Sequence, residues 1–126
     1  MSLLLDTHVL LWLLAGEERR FGPRTLDALR EQPATVSAAT VWEIATKRGL
    51  GKLRAPSNLV ETVAAAGLNL LSVTAVHAER VAELPDLHRD PFDRLLVSQA
   101  RLENFTLVTG DHVIRSYEVS SMDPAG

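Results

Sequence analysis

Short apolar or β-branched runs alternate with longer amphipathic segments along the whole chain. The first run, Leu3–Leu5, is continuously apolar, which is typical of a strand covered on both faces of a sheet. The same reasoning predicts strands at 34–36, 68–73 and 106–108, with a last short strand at 117–119.

The segments between these runs have helical periodicity, and several of them carry recognisable end signals. Ser37 and Asp90 are suited to N-caps, Pro91 to a first turn, and Gly49 and Gly67 to helix ends. The predicted helices span 8–14, 23–30, 38–48, 56–66, 74–84 and 91–102. Strands that alternate with helices predict an α/β domain of three layers, in which a short and mainly parallel sheet is flanked by helices.

Length and composition narrow the possible domain organisation, chemistry and location of the protein. The 126 residues suit a single domain spanning 1–126, and 46% apolar with 23% charged residues is ordinary for a globular protein. The absence of cysteine excludes disulfides, thiol catalysis and cysteine-bound zinc, and it fits a cytoplasmic protein. The apolar stretch near the N-terminus contains Asp6 and His8 and is too short to span a bilayer, so we expect no membrane association.

Acidic side chains occupy positions where ligands bind in parallel sheets. Asp6 and Asp111 follow predicted strands, and such sheets bind ligands at the carboxyl ends of their strands. Glu43 lies within the 38–48 helix, and Asp93 lies in the first turn of the 91–102 helix. Each acid also has a structural interpretation, as a cap, a solvated partner of Lys47 or a turn residue. The residues alone leave both interpretations open.

Four segments resemble the PIN-domain family, and specifically its VapC-type toxins. They are residues 3–12, 36–45, 88–100 and 107–111, which occur in the family's order and extend over nearly the whole chain. The resemblance implies a PIN-like domain that hydrolyses RNA, such as tRNA or ribosomal RNA, as the toxin of a toxin–antitoxin pair. It also implies that the catalytic acids are Asp6, Glu43, Asp93 and Asp111.

A metal site follows from the same resemblance. It implies that Asp6 and Asp93 bind Mg²⁺, or alternatively Mn²⁺, with Glu43 and Asp111 as further candidate ligands; carboxylates suit such hard cations. The bound ion would offset a net charge of −3, which by itself gives no indication of RNA binding. Thr7, next to Asp6, is a candidate for orienting a ligand carboxylate or a water molecule.

Residues adjoining the acids are more ambiguous. Candidate RNA contacts are Lys47, Arg48, Arg89 and Arg94, although charge runs are more often ordinary solvated surface. No two histidines have the His-x-x-x-His spacing of a metal pair, so all four, including His8 and His88, are predicted to be structural or exposed. We interpret Trp12, Trp42 and Phe92 as core or subunit-interface aromatics.

The resemblance implies a VapB-type antitoxin partner and a homodimer. We expect a helix of the antitoxin to dock on apolar helix surface within 49–71. A phosphorylated receiver domain is a poor alternative, because one Asp follows the first strand and no Lys follows the last long strand. A catalytically inactive PIN scaffold that binds proteins remains the alternative function, since fold does not fix activity.

Overall fold

The centre of the fold is a sheet of five parallel strands, seen in a computed structural model that describes residues 2–126. The strands are β1 (Ser2–Leu5), β2 (Ala34–Ser37), β3 (Asn69–Leu71), β4 (Phe105–Val108) and β5 (Ser121–Met122). They lie in the order β3-β2-β1-β4-β5, and β1 pairs with β2 on one side and β4 on the other. Because all strands run parallel, residues that follow β1, β2 and β4 meet at one edge of the sheet.

Helices connect the strands and cover both faces. They are α1 (Thr7–Leu14), α2 (Pro23–Glu31), α3 (Ala38–Gly49), α4 (Leu59–Ala65), α5 (Ala75–Arg80), α6 (Pro91–Glu103) and α7 (His112–Arg115), with 3₁₀ turns at Glu18–Arg20 and Val81–Glu83. The predicted N-caps are confirmed. The Ser37 hydroxyl accepts from the amide of Ala39 at 3.0 Å, and Asp90 Oδ1 accepts from the amide of Phe92 at 2.8 Å.

Alternate side chains of β1 enter two separate cores. Leu3 and Leu5 pack with α1, α2, α3 and α4, whereas Leu4 packs with α6 and α7 on the opposite face. All three leucines are fully buried, and each such burial stabilises the fold by about 1.5–3 kcal/mol. The predicted fold, a parallel sheet between two helical layers, is confirmed.

The C-terminal strand was predicted in the wrong place. Residues 117–119 are irregular, and the last strand is Ser121–Met122. Tyr117 is buried, but its ring packs among Leu84, Leu96 and Ile114 from a turn. The short apolar and β-favouring run at 117–119 therefore contains a buried side chain in a turn. Periodicity cannot distinguish such a run from a strand.

Some helix bounds also differ from the prediction. The fourth helix begins at Leu59 rather than at residue 56, and the segment 74–84 divides into α5 and a 3₁₀ turn before Pro85. One of the two interpretations of Asp111 was a turn residue, and its carboxylate in fact caps the short helix α7. Within residues 2–126 we find no helix with the length and apolar character needed to cross a bilayer.

Candidate active site

A pocket opens at the carboxyl edge of the sheet, beside the ends of β1 and β4. Acidic side chains dominate its lining, and they come from the loops after both strands and from helices α3 and α6: Asp6, Glu43, Asp90, Asp93 and Asp111. Thr7 and Lys47 also line it. The structure therefore brings the four acids predicted from the resemblance into one pocket, together with Asp90.

Asp6 caps a helix and faces the pocket at the same time. Its Oδ1 accepts from the amide of Val9 at 2.9 Å, and its Oδ2 accepts from the hydroxyl of Thr109 at 2.5 Å. Burial raises the pKa of Asp6 above its usual value, although these two hydrogen bonds lower it in part. The two interpretations of Asp6 are thus compatible, because each carboxylate oxygen has a different partner.

Glu43 is buried, with only 4% of its surface exposed, so the interpretation as a solvated helix residue is wrong. One carboxylate oxygen accepts from the Thr7 hydroxyl at 2.5 Å, and the other pairs with Lys47 Nζ at 2.5 Å. The hydrogen bond to Glu43 raises the pKa of Lys47, which keeps the amine charged. Thr7 orients a site carboxylate, which is one of the two roles considered for it.

Asp93 carries the strongest sign of crowded negative charge. Its pKa is raised from 3.8 to about 7, mainly by burial and further by the neighbouring carboxylates of Asp90, Glu43 and Asp6, against a lowering by His88. An acid whose pKa is raised by burial and by like charges is a group that a nearby cation would help to ionise. The donor set of carboxylate oxygens around Asp93 fits a hard divalent ion such as Mg²⁺.

Asp111 caps α7 and lines the same pocket. Partial burial raises its pKa, but hydrogen bonds from His88 and from the amides of Ile114 and Val113 outweigh this and leave the pKa below the ordinary value. The side chain of Asp111 therefore stays ionised where Asp93 tends to hold a proton.

His88 was missed by the sequence analysis. Its Nε2 lies 3.2 Å from Asp93 Oδ2 and 3.1 Å from Asp111 Oδ2, so it stands between two site acids. The prediction that every histidine is structural or exposed omitted this contact with the site, because the spacing rule tests only pairs on one helix. The available signal was its place in the loop that enters α6, two residues before Asp90.

Thr109 was missed as well. It is fully buried directly after β4, donates to Asp6, and accepts from the amide of Asp111 at 3.1 Å. The rule that selects polar residues immediately after strands would have found it, but we applied that rule to Asp111 two positions later.

The four candidate RNA contacts lie in different environments. Lys47 lines the pocket, and Arg89 is exposed. Arg48 donates to the carbonyl of Ala55 at 3.0 Å and does not line the pocket. Arg94 donates to the Tyr117 hydroxyl and to four main-chain carbonyls, which makes it an anchor of the preceding loop.

Trp42 and Phe92 form an aromatic pair near the acids. Their ring centroids are 4.9 Å apart in an edge-to-face arrangement, and Trp42 is 64% exposed. Trp42 is therefore not a core residue, and its interpretation as a subunit-interface residue stays a prediction.

Comparison with known proteins identifies the family to which the chain belongs. VapBC2 from Rickettsia felis, in a structure bound to a DNA fragment from its promoter, is 17% identical, with 97% of this chain and 98% of that chain covered and a TM-score of 0.73. A toxin–antitoxin complex from Klebsiella pneumoniae is 20% identical, with 98% of each chain covered and a TM-score of 0.66. FitAcB from Neisseria gonorrhoeae is 20% identical, with 97% of each chain covered and a TM-score of 0.62.

At these identities the three structures show a shared fold. The chain matches no curated protein sequence in this comparison. The family model described as PIN domain matches residues 3–119, which is most of the 126 residues. The chain belongs to the PIN-domain family.

Proposed function

We propose that this protein is a metal-dependent ribonuclease that acts in the cytoplasm as the toxin of a VapBC-type toxin–antitoxin pair. The observation that carries the proposal is the convergence of Asp6, Glu43, Asp93 and Asp111 in one pocket. The raised pKa of Asp93 supports it, because a site with this excess of carboxylates is poised for a cation. Membership of the PIN-domain family supports the nuclease activity.

Asp6 and Asp93 would hold Mg²⁺ or Mn²⁺, with Glu43 and Asp111 as further ligands. When bound, such an ion supplies positive charge against the phosphodiester and activates water for attack. The protein's own contribution is to fix the ligands. Thr109 and the amide of Val9 hold the two oxygens of Asp6, while Thr7 and Lys47 hold those of Glu43.

The RNA backbone would approach the same opening. Lys47 is the basic side chain we assign to the substrate phosphates nearest the acids, because it lines the pocket. Arg48 and Arg89 are exposed and would contact more distant phosphates. We assign no RNA contact to Arg94, because its guanidinium is occupied by the loop before α6. The substrate would be a structured RNA such as tRNA or ribosomal RNA.

The proposed partners are a VapB-type antitoxin and a second copy of the chain. The similar structures include VapBC2 and a toxin–antitoxin complex, which supports an antitoxin partner. Within the predicted docking region 49–71, Leu50, Val60 and Leu70 are 65%, 50% and 48% exposed, as an apolar docking surface requires. Co-expression of the neighbouring gene tests this pairing, since a cognate antitoxin should relieve toxicity.

The activity is tested by RNA cleavage with and without metal. Purified protein should cleave total RNA in Mg²⁺, lose the activity in excess EDTA, and regain it when Mg²⁺ or Mn²⁺ is restored. Asp93→Asn should abolish most cleavage, whereas Asp27→Asn, an exposed acid on α2, is the matched control and should cleave normally. Equal cleavage in EDTA would contradict the metal mechanism, and folded protein without cleavage would favour the inactive scaffold.

A further inference from the structure

His88 joins two acids that come from different parts of the fold. Asp93 lies in the first turn of α6 and Asp111 caps α7, yet both place an oxygen within 3.2 Å of His88 Nε2. Ligand atoms of the three residues all lie within 4.8 Å of one another. This spacing alone allows two roles for the imidazole, as a metal ligand or as a hydrogen-bond donor.

The other ring nitrogen decides between these roles. His88 Nδ1 lies 3.1 Å from the backbone nitrogen of Asp90, and a backbone N–H can only donate. Nδ1 therefore accepts and carries no proton, so the neutral ring carries its proton on Nε2. That Nε2–H donates to Asp111 Oδ2 at 3.1 Å, and Asp93 Oδ2 lies 3.2 Å from the same nitrogen. If Nε2 bound a metal, the proton would move to Nδ1 and face the N–H of Asp90, leaving two donors opposed.

Hydrogen bonds with Tyr117 and Arg94 hold the loop that carries His88 in place. The amide of His88 donates to the Tyr117 hydroxyl at 2.8 Å, and Arg94 donates to the same hydroxyl at 3.2 Å. Arg94 also donates to the carbonyls of Pro85 and His88. Tyr117 is buried, so the backbone of His88 cannot move without breaking contacts in the core, and a turn of the ring would break its hydrogen bond from the amide of Asp90.

We propose that His88 is a positioning residue, whose Nε2–H donates to Asp111 and holds its carboxylate beside that of Asp93, and that His88 does not itself bind the metal. The inference rests on the proposed function for the identity of the cation site. A neutral donor suits this place because it relieves the repulsion between two acids without adding a positive charge that would repel a cation. Fixing the ligands in this way is how residues around a metal site raise its affinity.

Two substitutions separate the donor from the acceptor function of the ring. His88→Gln extends an amide NH₂ towards the acids and keeps a donor there. His88→Asn keeps a short side chain whose oxygen can accept from the amide of Asp90 but cannot reach the acids. If His88 only shapes its loop, Asn should be the milder change, whereas a donor to the acids makes Gln the milder change.

Metal affinity is the first readout, measured by isothermal titration calorimetry of the full chain with Mg²⁺ or Mn²⁺ alone. We expect His88→Asn to weaken binding by about 10- to 100-fold, as loss of supporting hydrogen bonds does at other metal sites, and His88→Gln to recover most of it. An Asn variant that binds as tightly as wild type would overturn the inference, as would a Gln variant no better than Asn. Circular dichroism checks that both variants are folded.

The protonated nitrogen is the second readout. Ring ¹⁵N chemical shifts of His88 should show a protonated Nε2 and a bare Nδ1, both in metal-free protein and after saturation with Mg²⁺. Loss of the Nε2 proton on Mg²⁺ binding would identify His88 as a ligand and refute its positioning role.

These outcomes can be distinguished from those of the nuclease assay. A wild type that binds Mg²⁺ without cutting RNA contradicts the proposed function alone, and one that binds neither ion leaves the metal-free ¹⁵N shifts to decide the donor role.

Discussion

Two buried polar networks begin at adjacent strand ends of this molecule, and they differ in charge. The first starts at Ser37, whose hydroxyl donates to Gln99 Oε1 at 2.5 Å. The Gln99 amide then donates to the carbonyl of Ser72 at 3.3 Å and lies 3.2 Å from His77 Nδ1. The second network is the acid pocket after β1 and β4. Both include a side chain of α6, Gln99 in the first network and Asp93 in the second, so the contrast concerns chemistry rather than location.

The two networks also use a histidine in the same way. His77 Nδ1 accepts from the amide of Thr74 at 3.0 Å, just as His88 Nδ1 accepts from the amide of Asp90 at 3.1 Å. In the first network Nε2 lies 3.4 Å from Glu103, and in the second it meets two site acids. The same local arrangement therefore supports a network that contains one carboxylate, Glu103, in one place and an acid-rich network in the other.

The Ser37 network contains a single carboxylate, Glu103, whereas the pocket gathers more negative charge than its neighbours compensate. Lys47 is the one Lys or Arg among the residues that line the pocket, against five acids. Folding alone gives no reason to assemble such a group, because like charges that are partly buried raise each other's pKa and cost stability. The difference supports the proposed cation site in this pocket.

Asp6→Asn should have the largest effect and should separate activity from stability. Asn caps a helix about as well as Asp, so the thermal stability of the metal-free protein should hardly change. The lost negative charge should reduce RNA cleavage by about a hundredfold or more, since even changes around metal ligands typically cost about 10- to 100-fold. Matched assays on total RNA measure the loss, with circular dichroism as the folding control. Robust cleavage by the folded variant would refute the mechanism.

Local sequence patterns predicted much of this structure for a physical reason. The apolar run Leu3–Leu5 reports burial on both faces directly, and the Ser37 and Asp90 caps depend on residues within three positions. Glu43 pairs with Lys47, as its structural interpretation expected. The expectation that Glu43 is solvated failed because other elements of the fold close over it.

The missed residues depend on contacts between distant parts of the chain. Thr109 bonds to Asp6 across 103 positions, and His88 reaches Asp111 across 23. Neither contact leaves a periodic signal, since each exists only after β4 has paired beside β1. The wrong strand at 117–119 has a related cause, because Tyr117 is buried by the packing of helices that the local pattern does not contain.

The raised pKa of Asp93 predicts how the stability of metal-free protein changes with pH. The folded pKa is about 7 and the ordinary value is 3.8, so between these values the unfolded chain loses a proton that the folded chain keeps. The free energy of unfolding should therefore fall as pH rises from about 4 to about 7 and then level off, by up to a few kcal/mol at about 1.4 kcal/mol per pKa unit.

Urea denaturation in EDTA at several pH values measures this dependence. Asp93→Asn should flatten the part of the curve between about pH 4 and 7, because the titrating group is gone. Added Mg²⁺ should stabilise the wild type more at pH 8 than at pH 5, since the ion binds the ionised carboxylate. A wild-type stability that rises across this range would contradict the assignment of Asp93.

Gln99→Leu tests the Ser37 network and should affect stability instead of activity. Leucine has a similar volume, so the fully buried site stays filled, but the Ser37 hydroxyl loses its acceptor and the carbonyl of Ser72 its donor. We expect a loss of about 1–3 kcal/mol in the free energy of unfolding, which is typical of unsatisfied buried polar groups. Mg²⁺ affinity should stay at the wild-type value. A large loss of Mg²⁺ affinity would show that the two networks are coupled.

Thr109→Val should have the smallest effect, because it changes a partner of a site acid and not the acid itself. Valine has nearly the shape of threonine, but it removes the hydroxyl that donates to Asp6 Oδ2 and accepts from the amide of Asp111. RNA cleavage should fall by about tenfold, at the lower end of the range for residues that support metal ligands. Thr109→Ser keeps the hydroxyl and is the matched control, so it should retain most of the activity even where the missing methyl group lowers stability. Equal activity of the Val and Ser variants would mean that the amide of Val9 holds Asp6 in place without help from β4, and that the acid pocket, unlike the Ser37 network, does not depend on every one of its hydrogen bonds.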